Sequence, residues 1–187
     1  PHEGPQGRRT GTGHQAEGDM LAALGLRYGT PEATAFAVKV QKTLALEAYR
    51  ASVKMAAERG AFEIFDARKE EKNPMIGRIR EADPELYAEM VKHGRRNIAM
   101  LTIAPTGTTS LMSQTTSGIE PVFRPVYKRR RKINPSDQDA KVAFVDDMGE
   151  KFEEYNVYHH NFVKCSKPTD TIPRNCKTYR TMSSTGG

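Results

Sequence analysis

The chain has 187 residues, of which 37% are hydrophobic and 28% are charged, so it can form one ordinary domain or part of a larger one. No run of 18 apolar residues occurs, which excludes a membrane-spanning helix from the sequence. The polar start lacks the apolar core of a signal peptide, so we expect a cytoplasmic protein. Two cysteines, Cys165 and Cys176, are too few for a disulfide scaffold or a four-thiolate zinc site, and we expect free thiols.

The net charge of +6 and the isoelectric point near 9.4 suggest an anionic partner. The basic residues concentrate in one run, Lys128 to Lys132. Because no aromatic residue interrupts this run, it predicts a solvated surface connection, with contact to an anion as the alternative. Specific nucleic-acid binding is not expected.

Residues 1–18 contain five glycines and almost no apolar side chain, which predicts a disordered or unrelated leader. The stretch Gly11 to Ala16 imitates a dinucleotide-binding fingerprint. That fingerprint requires a preceding strand, and the Pro- and Gly-rich residues before it predict none, so we assign it no function.

The next segment predicts helices. A short helix spans 19–24 and stops at Gly25, and Thr30 caps a long helix with Pro31 at its first position and Gly60 at its end. A second helix follows Asp83 and ends before Gly94. The predicted buried stripe of the long helix consists of Phe36, Val40, Leu44, Ala48, Ala51 and Met55.

Residues 97–104 are apolar without alternation, which predicts a strand that is covered on both faces. The segment from Pro105 to Ser117 then becomes small, hydroxylated and glycine-bearing. A third helix is predicted from near Ser136, with apolar residues as far as Tyr155 on its buried side. Residues 164–187 lack periodicity and predict a flexible, unrelated tail.

The stretch after the predicted strand has the composition of a phosphate-binding loop. Gly107 would let the backbone approach an anion closely, and Thr106, Thr108 and Thr109 offer hydroxyl groups. A helix that starts near Ser110 would add free amides. An ordinary Ser/Thr-rich turn that caps a helix fits the same residues, and the residue chemistry leaves both interpretations open.

Two motifs carry a family resemblance. Residues 95–112, which contain Pro-Thr-Gly-Thr-Thr-Ser, and residues 116–123, which contain Gly-Ile-Glu-Pro, closely resemble the end of the catalytic domain of ribonucleotide reductases. Residues 24–30 resemble an upstream segment of the same domain. The wording of the two motifs is most similar to the adenosylcobalamin-dependent class, and the likeness covers about 19–163.

The resemblance implies an α/β fold in which this chain is a helix-rich portion of a ten-stranded α/β barrel. It implies that 19–163 form part of the catalytic barrel, whose parent enzyme reduces ribonucleotides to deoxyribonucleotides through a thiyl radical initiated by adenosylcobalamin. A thioredoxin-type reductant would supply electrons, and a partner chain could complete the barrel. By this resemblance the substrate-phosphate contacts are Pro105, Thr106, Gly107, Thr108 and Thr109.

The resemblance is incomplete in its chemistry. The family's radical cysteine lies in an Asn-x-Cys-x-Glu stretch that this sequence lacks, and Asn175-Cys176 is followed by Lys177. We therefore assign no catalytic and no metal-binding residue and expect the chain to be inactive alone. Glu120 and Pro121 are expected to support the phosphate loop.

Two rival interpretations remain. The chain could be a basic, non-catalytic module that binds phosphate groups or nucleic acid, or a remnant that does not fold independently. His159 and His160 lack further ligands at metal spacing and are expected to be exposed residues at a helix end.

Overall fold

The structure is a computed structural model that describes residues 3–134, 136–137 and 140–166. The described residues form two compact units, the first built from 3–14 and 31–105 and the second from 15–30, 106–134, 136–137 and 140–166. The helices are α1 (Glu3–Gly7), α2 (Glu17–Ala23), α3 (Pro31–Arg59), α4 (Ala67–Glu70), α5 (Pro74–Ala82), α6 (Pro84–His93), α7 (Gly107–Ser113) and α8 (His160–Ser166). The strands are β1 (Val126–Lys132), β2 (Phe144–Val145) and β3 (Lys151–Tyr158).

The first unit is a helical cluster around α3. The predicted ends of this helix are confirmed, because α3 begins at Pro31 and Gly60 follows its last residue with a φ of 82°. Asp83 caps α6 by accepting a hydrogen bond from the Leu86 amide at 2.9 Å. The core joins α3, α5 and α6 through Tyr49, Val53, Ile76, Ile79, Leu86, Met90 and Met100.

The predicted buried stripe of α3 is wrong by about one residue. Met55 is 39% exposed, whereas the buried residues of α3 are Ala33, Ala45, Tyr49, Ser52, Val53 and Ala56. A shift of one residue rotates the face by about 100°. Ser52 can be buried because its hydroxyl donates to Asn97 Oδ1 at 2.8 Å, a partner that hydrophobicity alone does not indicate.

The predicted leader differs from the structure over residues 3–18. Residues 3–7 form α1, and the following segment runs beside residues 97–102. The Ile98 amide donates to Gly7 O at 2.9 Å, the Thr10 amide to Ala99 O at 2.9 Å and the Thr12 amide to Met100 O at 2.6 Å. This backbone pairing explains how a glycine-rich segment is ordered without burying large apolar side chains.

Residues 97–104 were predicted to form a buried strand, but within the described part of the chain they form no strand and one isolated bridge. Thr12 and Leu101 form a parallel bridge. Met100 is 5% exposed and Ile103 is 58% exposed, so the segment is covered over only part of its length.

The second unit contains a three-stranded antiparallel sheet in the order β1-β3-β2. Val126 pairs with Tyr158 and Lys132 with Phe152 along β1 and β3. The third helix that the sequence predicted from near Ser136 is therefore wrong. Of its predicted apolar residues, Val145 lies in β2 and Phe152 and Tyr155 lie in β3, whereas Met148 lies in a turn. The Phe144 and Phe152 rings stack with centroids 4.9 Å apart.

The described residues confirm the helix-rich character that was predicted, and they show this one small sheet rather than a ten-stranded barrel. No helix within the described ranges is long and apolar enough to cross a membrane. Cys176 and residues 167–187 of the predicted tail lie outside the described residues, as does the side chain of Cys165, whose backbone belongs to α8.

Candidate phosphate-binding loop

The loop predicted to bind phosphate lies at the start of the second unit. Pro105 is the last residue of the first unit, and Thr106 is the N-cap of α7. The helix begins at Gly107, three residues earlier than the sequence predicted. Pro105, Gly107, Thr108 and Thr109 are exposed, and Thr106 is half-buried.

The backbone amides of this loop are available to a ligand. The Ser110 amide donates to Thr106 O at 2.8 Å and makes the first hydrogen bond of α7. Within the described part of the chain, the amides of Gly107, Thr108 and Thr109 have no hydrogen-bond partner. Space next to Gly107 is open, because a Cβ atom there would meet no atom within 4 Å. An anion can therefore reach three free N–H groups and two exposed hydroxyl groups.

Thr106 adopts an unusual backbone conformation. Its φ of 44° and ψ of 31° lie in the left-handed region, which a β-branched residue rarely occupies. Strain of this kind persists only where surrounding contacts impose it, and it concentrates at ligand-binding sites. Thr106 Oγ1 accepts a hydrogen bond of 2.9 Å from the Gly118 amide.

Further hydrogen bonds fix α7 behind the exposed loop. The buried Ser110 hydroxyl donates to Gly107 O at 2.9 Å, and the Ser113 hydroxyl donates to Thr109 O at 3.0 Å. The Thr115 amide donates to Ser110 O at 3.1 Å. The loop is therefore held from its inner side while its outer side stays exposed.

The turn that contains Glu120 and Pro121 packs against α2. A Cβ atom at Gly18 would lie 2.7 Å from both Glu120 O and Pro121 Cα. This close approach requires glycine at position 18. Support of the phosphate loop by Glu120 and Pro121 stays a prediction, but their backbone clearly belongs to the segment that contacts the start of α2.

Sequence reasoning missed a buried polar cluster around Asp19. Asp19 Oδ1 and His159 Nε2 form a hydrogen bond of 2.8 Å, and Asp19 Oδ2 accepts from Asn161 Nδ2 at 2.8 Å and from the Thr116 amide at 3.0 Å. The prediction that His159 is exposed is wrong, because its side chain is 13% exposed and bound to Asp19. The partners are up to 142 positions apart, so no local pattern could reveal the cluster.

The basic run Lys128 to Lys132 lies in β1 and is largely neutralised by acidic residues. Arg130 Nε lies 2.6 Å from Glu154 Oε1, and Arg131 Nε lies 2.6 Å from Glu153 Oε1. The hydrogen bond from Arg130 lowers the pKa of Glu154, and the hydrogen bond to Glu153 raises the pKa of Arg131. These pairs agree with a solvated surface and weaken the run as a nucleic-acid site.

Two acidic residues of the second unit, Glu17 and Glu120, act electrostatically on the phenol of Tyr28. Burial raises the pKa of Tyr28, and the charges of Glu17 and Glu120 raise it further. The described residues contain no group of three or more His, Cys, Asp or Glu side chains that could hold a metal ion.

Comparison with known proteins identifies the family. The model of the ribonucleotide reductase barrel domain matches residues 2–182. Because this match covers almost the whole sequence, the chain belongs to the ribonucleotide reductase barrel domain family. The match also includes 2–18 and 164–182, which the sequence motifs had left outside the resemblance.

Individual relatives agree with this assignment. A vitamin B12-dependent ribonucleoside-diphosphate reductase of Mycobacterium tuberculosis (strain CDC 1551 / Oshkosh) is 35% identical over 65% of this chain and 15% of its own length. An enzyme of the same name from Thermoplasma acidophilum is 33% identical over 65% of this chain and 14% of its length. A ribonucleoside-diphosphate reductase subunit alpha of Treponema pallidum is 29% identical over 67% of this chain and 15% of its own length.

These matches confirm the predicted resemblance to B12-dependent ribonucleotide reductases. The chain spans only 14–15% of the length of the three relatives.

Proposed function

We propose that this chain contributes the substrate-phosphate loop of a ribonucleoside-diphosphate reductase that reduces ribonucleotides to deoxyribonucleotides. The observation that carries the proposal is the exposed loop at the start of α7, in a chain that belongs to the reductase family. The phosphate contacts would come from Pro105, Thr106, Gly107, Thr108 and Thr109.

The loop can bind phosphate without a positively charged side chain. Gly107, Thr108 and Thr109 are exposed, and their amides have no hydrogen-bond partner among the described residues. N–H groups of successive residues can form a concave set of donors for oxygen anions. The hydroxyls of Thr108 and Thr109 are exposed and can donate as well. Because α7 has only seven residues, we attribute binding to these individual donors rather than to a helix dipole.

The whole reductase would have further requirements. By resemblance, we propose that it forms a portion of a ten-stranded α/β barrel, uses a thioredoxin-type reductant, and is cytoplasmic. A partner chain that carries the radical cysteine would complete the barrel. This chain has cysteines only at positions 165 and 176, and neither lies in the family's Asn-x-Cys-x-Glu stretch.

Adenosylcobalamin enters this proposal through the names of the relatives. When bound, the cofactor supplies the radical that starts the reduction. The corrin ring of cobalamin itself ligates the cobalt, so side-chain identity alone marks none of the described residues as part of a cofactor site. We therefore assign none of them to the cofactor, and their role is to bind and orient the substrate phosphate.

A binding experiment tests the proposal. ADP and adenosine are titrated into the chain by calorimetry, with Thr108→Val/Thr109→Val as the loop variant. Thr34→Val serves as the control, because Thr34 is an exposed helical threonine of α3 in the other unit. We expect ADP to bind more tightly than adenosine and the loop variant to weaken ADP by about tenfold, as for the loss of one or two hydrogen bonds.

Two outcomes would contradict the proposal. One is equal affinity for ADP and adenosine, and the other is an equal effect of the loop variant and Thr34→Val. Tight oligonucleotide binding that falls steeply with salt and survives the loop variant would favour the basic binding module instead.

An activity assay tests the prediction that the chain is incomplete. With adenosylcobalamin, a ribonucleoside diphosphate and a thioredoxin-type reductant, we expect the chain alone to give no deoxynucleotide. Turnover by the chain alone would refute this part of the proposal.

A further inference from the structure

The carboxylate of Asp19 is buried and connects three separate parts of the second unit. Asp19 is 7% exposed and lies in the first turn of α2. Its oxygens bind the Thr116 amide, the Asn161 amide group and the His159 ring at 2.8–3.0 Å. A buried carboxylate is costly unless it is hydrogen-bonded, so these contacts fix the positions of their donors.

The segment that Asp19 holds is also bound along its backbone. The Ala16 amide donates to Thr116 O at 3.2 Å, and the Glu17 amide donates to Gly118 O at 3.4 Å. The Asp19 amide itself lies 3.4 Å from Thr116 Oγ1. Residues 116–118 are therefore clamped against the start of α2 from the backbone and from the Asp19 side chain.

This clamped segment reaches the phosphate loop through one hydrogen bond. Gly118 donates its amide to Thr106 Oγ1 at 2.9 Å. Thr106 needs such a contact, because its left-handed backbone is strained for a β-branched residue. A path of direct contacts thus runs from Asp19 through residues 116–118 to the N-cap of α7.

We propose that Asp19 is a positioning residue for the phosphate loop. It holds residues 116–118 so that the Gly118 amide keeps Thr106 in its left-handed conformation and the amides of residues 107–109 exposed to the ligand. Asp19 contacts no substrate in this scheme, and His159 and Asn161 act by fixing its carboxylate. The inference rests on the proposed phosphate-binding function.

The test separates positioning from general stability. Asp19→Asn keeps the size of the side chain but replaces one carboxylate oxygen by an NH2 group. That NH2 group then faces a donor that the carboxylate had bound, such as the Thr116 amide or the Asn161 side-chain amide. Leu21→Val is the control: Leu21 is buried in the same helix at 1% exposure, and it belongs to none of the hydrogen bonds in the path. Unfolding curves of both variants allow comparison at equal fractions folded.

Two measurements are made on the full chain. Amide hydrogen exchange by NMR reports the Gly118 hydrogen bond without ligand, and calorimetry reports ADP affinity. We expect Asp19→Asn to speed Gly118 exchange and to weaken ADP, each by about tenfold. Leu21→Val should change neither by more than its effect on global stability explains.

Thr106 provides the second pair of variants. Thr106→Val removes the acceptor of the Gly118 amide at nearly constant shape, whereas Thr106→Ser keeps it. Thr106→Val should speed the exchange of the Gly118 amide, whereas Thr106→Ser should leave that exchange slow. Adding Asp19→Asn to Thr106→Val should speed the exchange little further, because the two residues act on one path. If Asp19→Asn does not fold, the contrast between Val and Ser at position 106 still tests the link from Gly118 to Thr106.

The outcomes distinguish the two proposals. Absence of ADP binding by the unmodified chain would overturn the proposed function, and Gly118 exchange would then decide the structural link alone. Binding of ADP that Asp19→Asn changes no more than Leu21→Val would overturn the positioning role. Additive effects of Asp19→Asn and Thr106→Val would overturn it as well.

Discussion

Arg95 belongs to the motif that carries the family resemblance, and the structure predicts that its role is to stabilise the first unit. Its side chain is 3% exposed and forms a two-pronged ion pair with Glu70, in which Nη2 lies 2.6 Å from Oε1 and Nη1 bonds Oε2. Nε donates to Asn97 O at 3.0 Å, and Nη2 donates to Ile98 O at 3.3 Å.

The change Arg95→Met removes all these donors while keeping an apolar stem of similar length. One half-buried carboxylate loses its ion pair and two backbone carbonyls lose a partner. Removal of one member of a buried ion pair costs about 3–5 kcal/mol. The guanidinium also lies 5.4 Å from the Phe62 ring centroid and 5.6 Å from that of Tyr49, and these contacts are lost too.

Urea unfolding followed by circular dichroism measures this decrease in the free energy of unfolding, which is a large fraction of the stability of a typical domain. Arg50→Met is the matched control. Arg50 pairs with Asp83 at 2.5 Å, but its side chain is 50% exposed, so water and salt screen the pair and we expect a much smaller change. The double variant Arg95→Met/Glu70→Met should recover part of the loss, because no buried charge is then unpaired.

Three results would refute this reasoning. Arg95→Met could destabilise no more than Arg50→Met, its effect could decline with salt as that of an exposed pair does, or the double variant could be less stable than the single one. Each would mean that the buried ion pair does not govern the stability of the first unit.

Three further predictions concern the same unit. Gly60→Ala should lower the free energy of unfolding by about 1 kcal/mol, since Gly60 has a φ of 82° but open space around it. Gly94→Ala should lower it more, because Gly94 has a φ of 72° and its new Cβ atom would lie 2.6 Å from the Ala61 Cβ. Equal melting temperatures of the two variants would contradict this. Ser52→Ala should lower the free energy of unfolding by about 1–3 kcal/mol, because Asn97 Oδ1 and the Asn97 backbone amide lose the Ser52 hydroxyl as their partner. An unchanged urea unfolding curve would contradict this. Hydrogen bonding by a backbone amide of α6 lowers the pKa of Asp83. The Asp83 carboxylate therefore stabilises the fold above the ordinary carboxyl pKa, and this contribution is lost as the pH falls through the lowered pKa. Asp83→Asn should reduce the fall in melting temperature at acidic pH, and an unchanged fall would refute the prediction.

Much of the helical structure could be predicted from local sequence signals. Proline occupies the first position of α3 and of α6, Asp83 caps α6, and glycine with positive φ follows both helices. The exposed, hydroxyl-bearing loop after Pro105 was also predictable, because small polar residues that follow an apolar segment have nothing to bury. The resemblance of its motif to the reductase family led to the proposal that the loop binds phosphate.

The sheet was not predictable from the same signals. Apolar residues spaced between Val145 and Tyr155 fit a helical stripe, but their cross-strand partners decide the structure. Arg130 stands opposite Glu154 in the register of β1 and β3 and forms an ion pair with it. A pairing between residues 24 positions apart is not encoded in either segment alone.

The sequence by itself determined where α3 and α6 begin and end and which residues form the hydroxyl-rich loop, because caps, prolines and glycines act over a few residues. Only the tertiary structure decided which face of α3 is buried, that residues 10–12 pair with 99–102, and that Asp19 binds Thr116, His159 and Asn161. Those outcomes depend on hydrogen-bond partners that lie 45 to 142 positions apart. The free energy of burying a polar group is set by such partners and not by its neighbours in sequence.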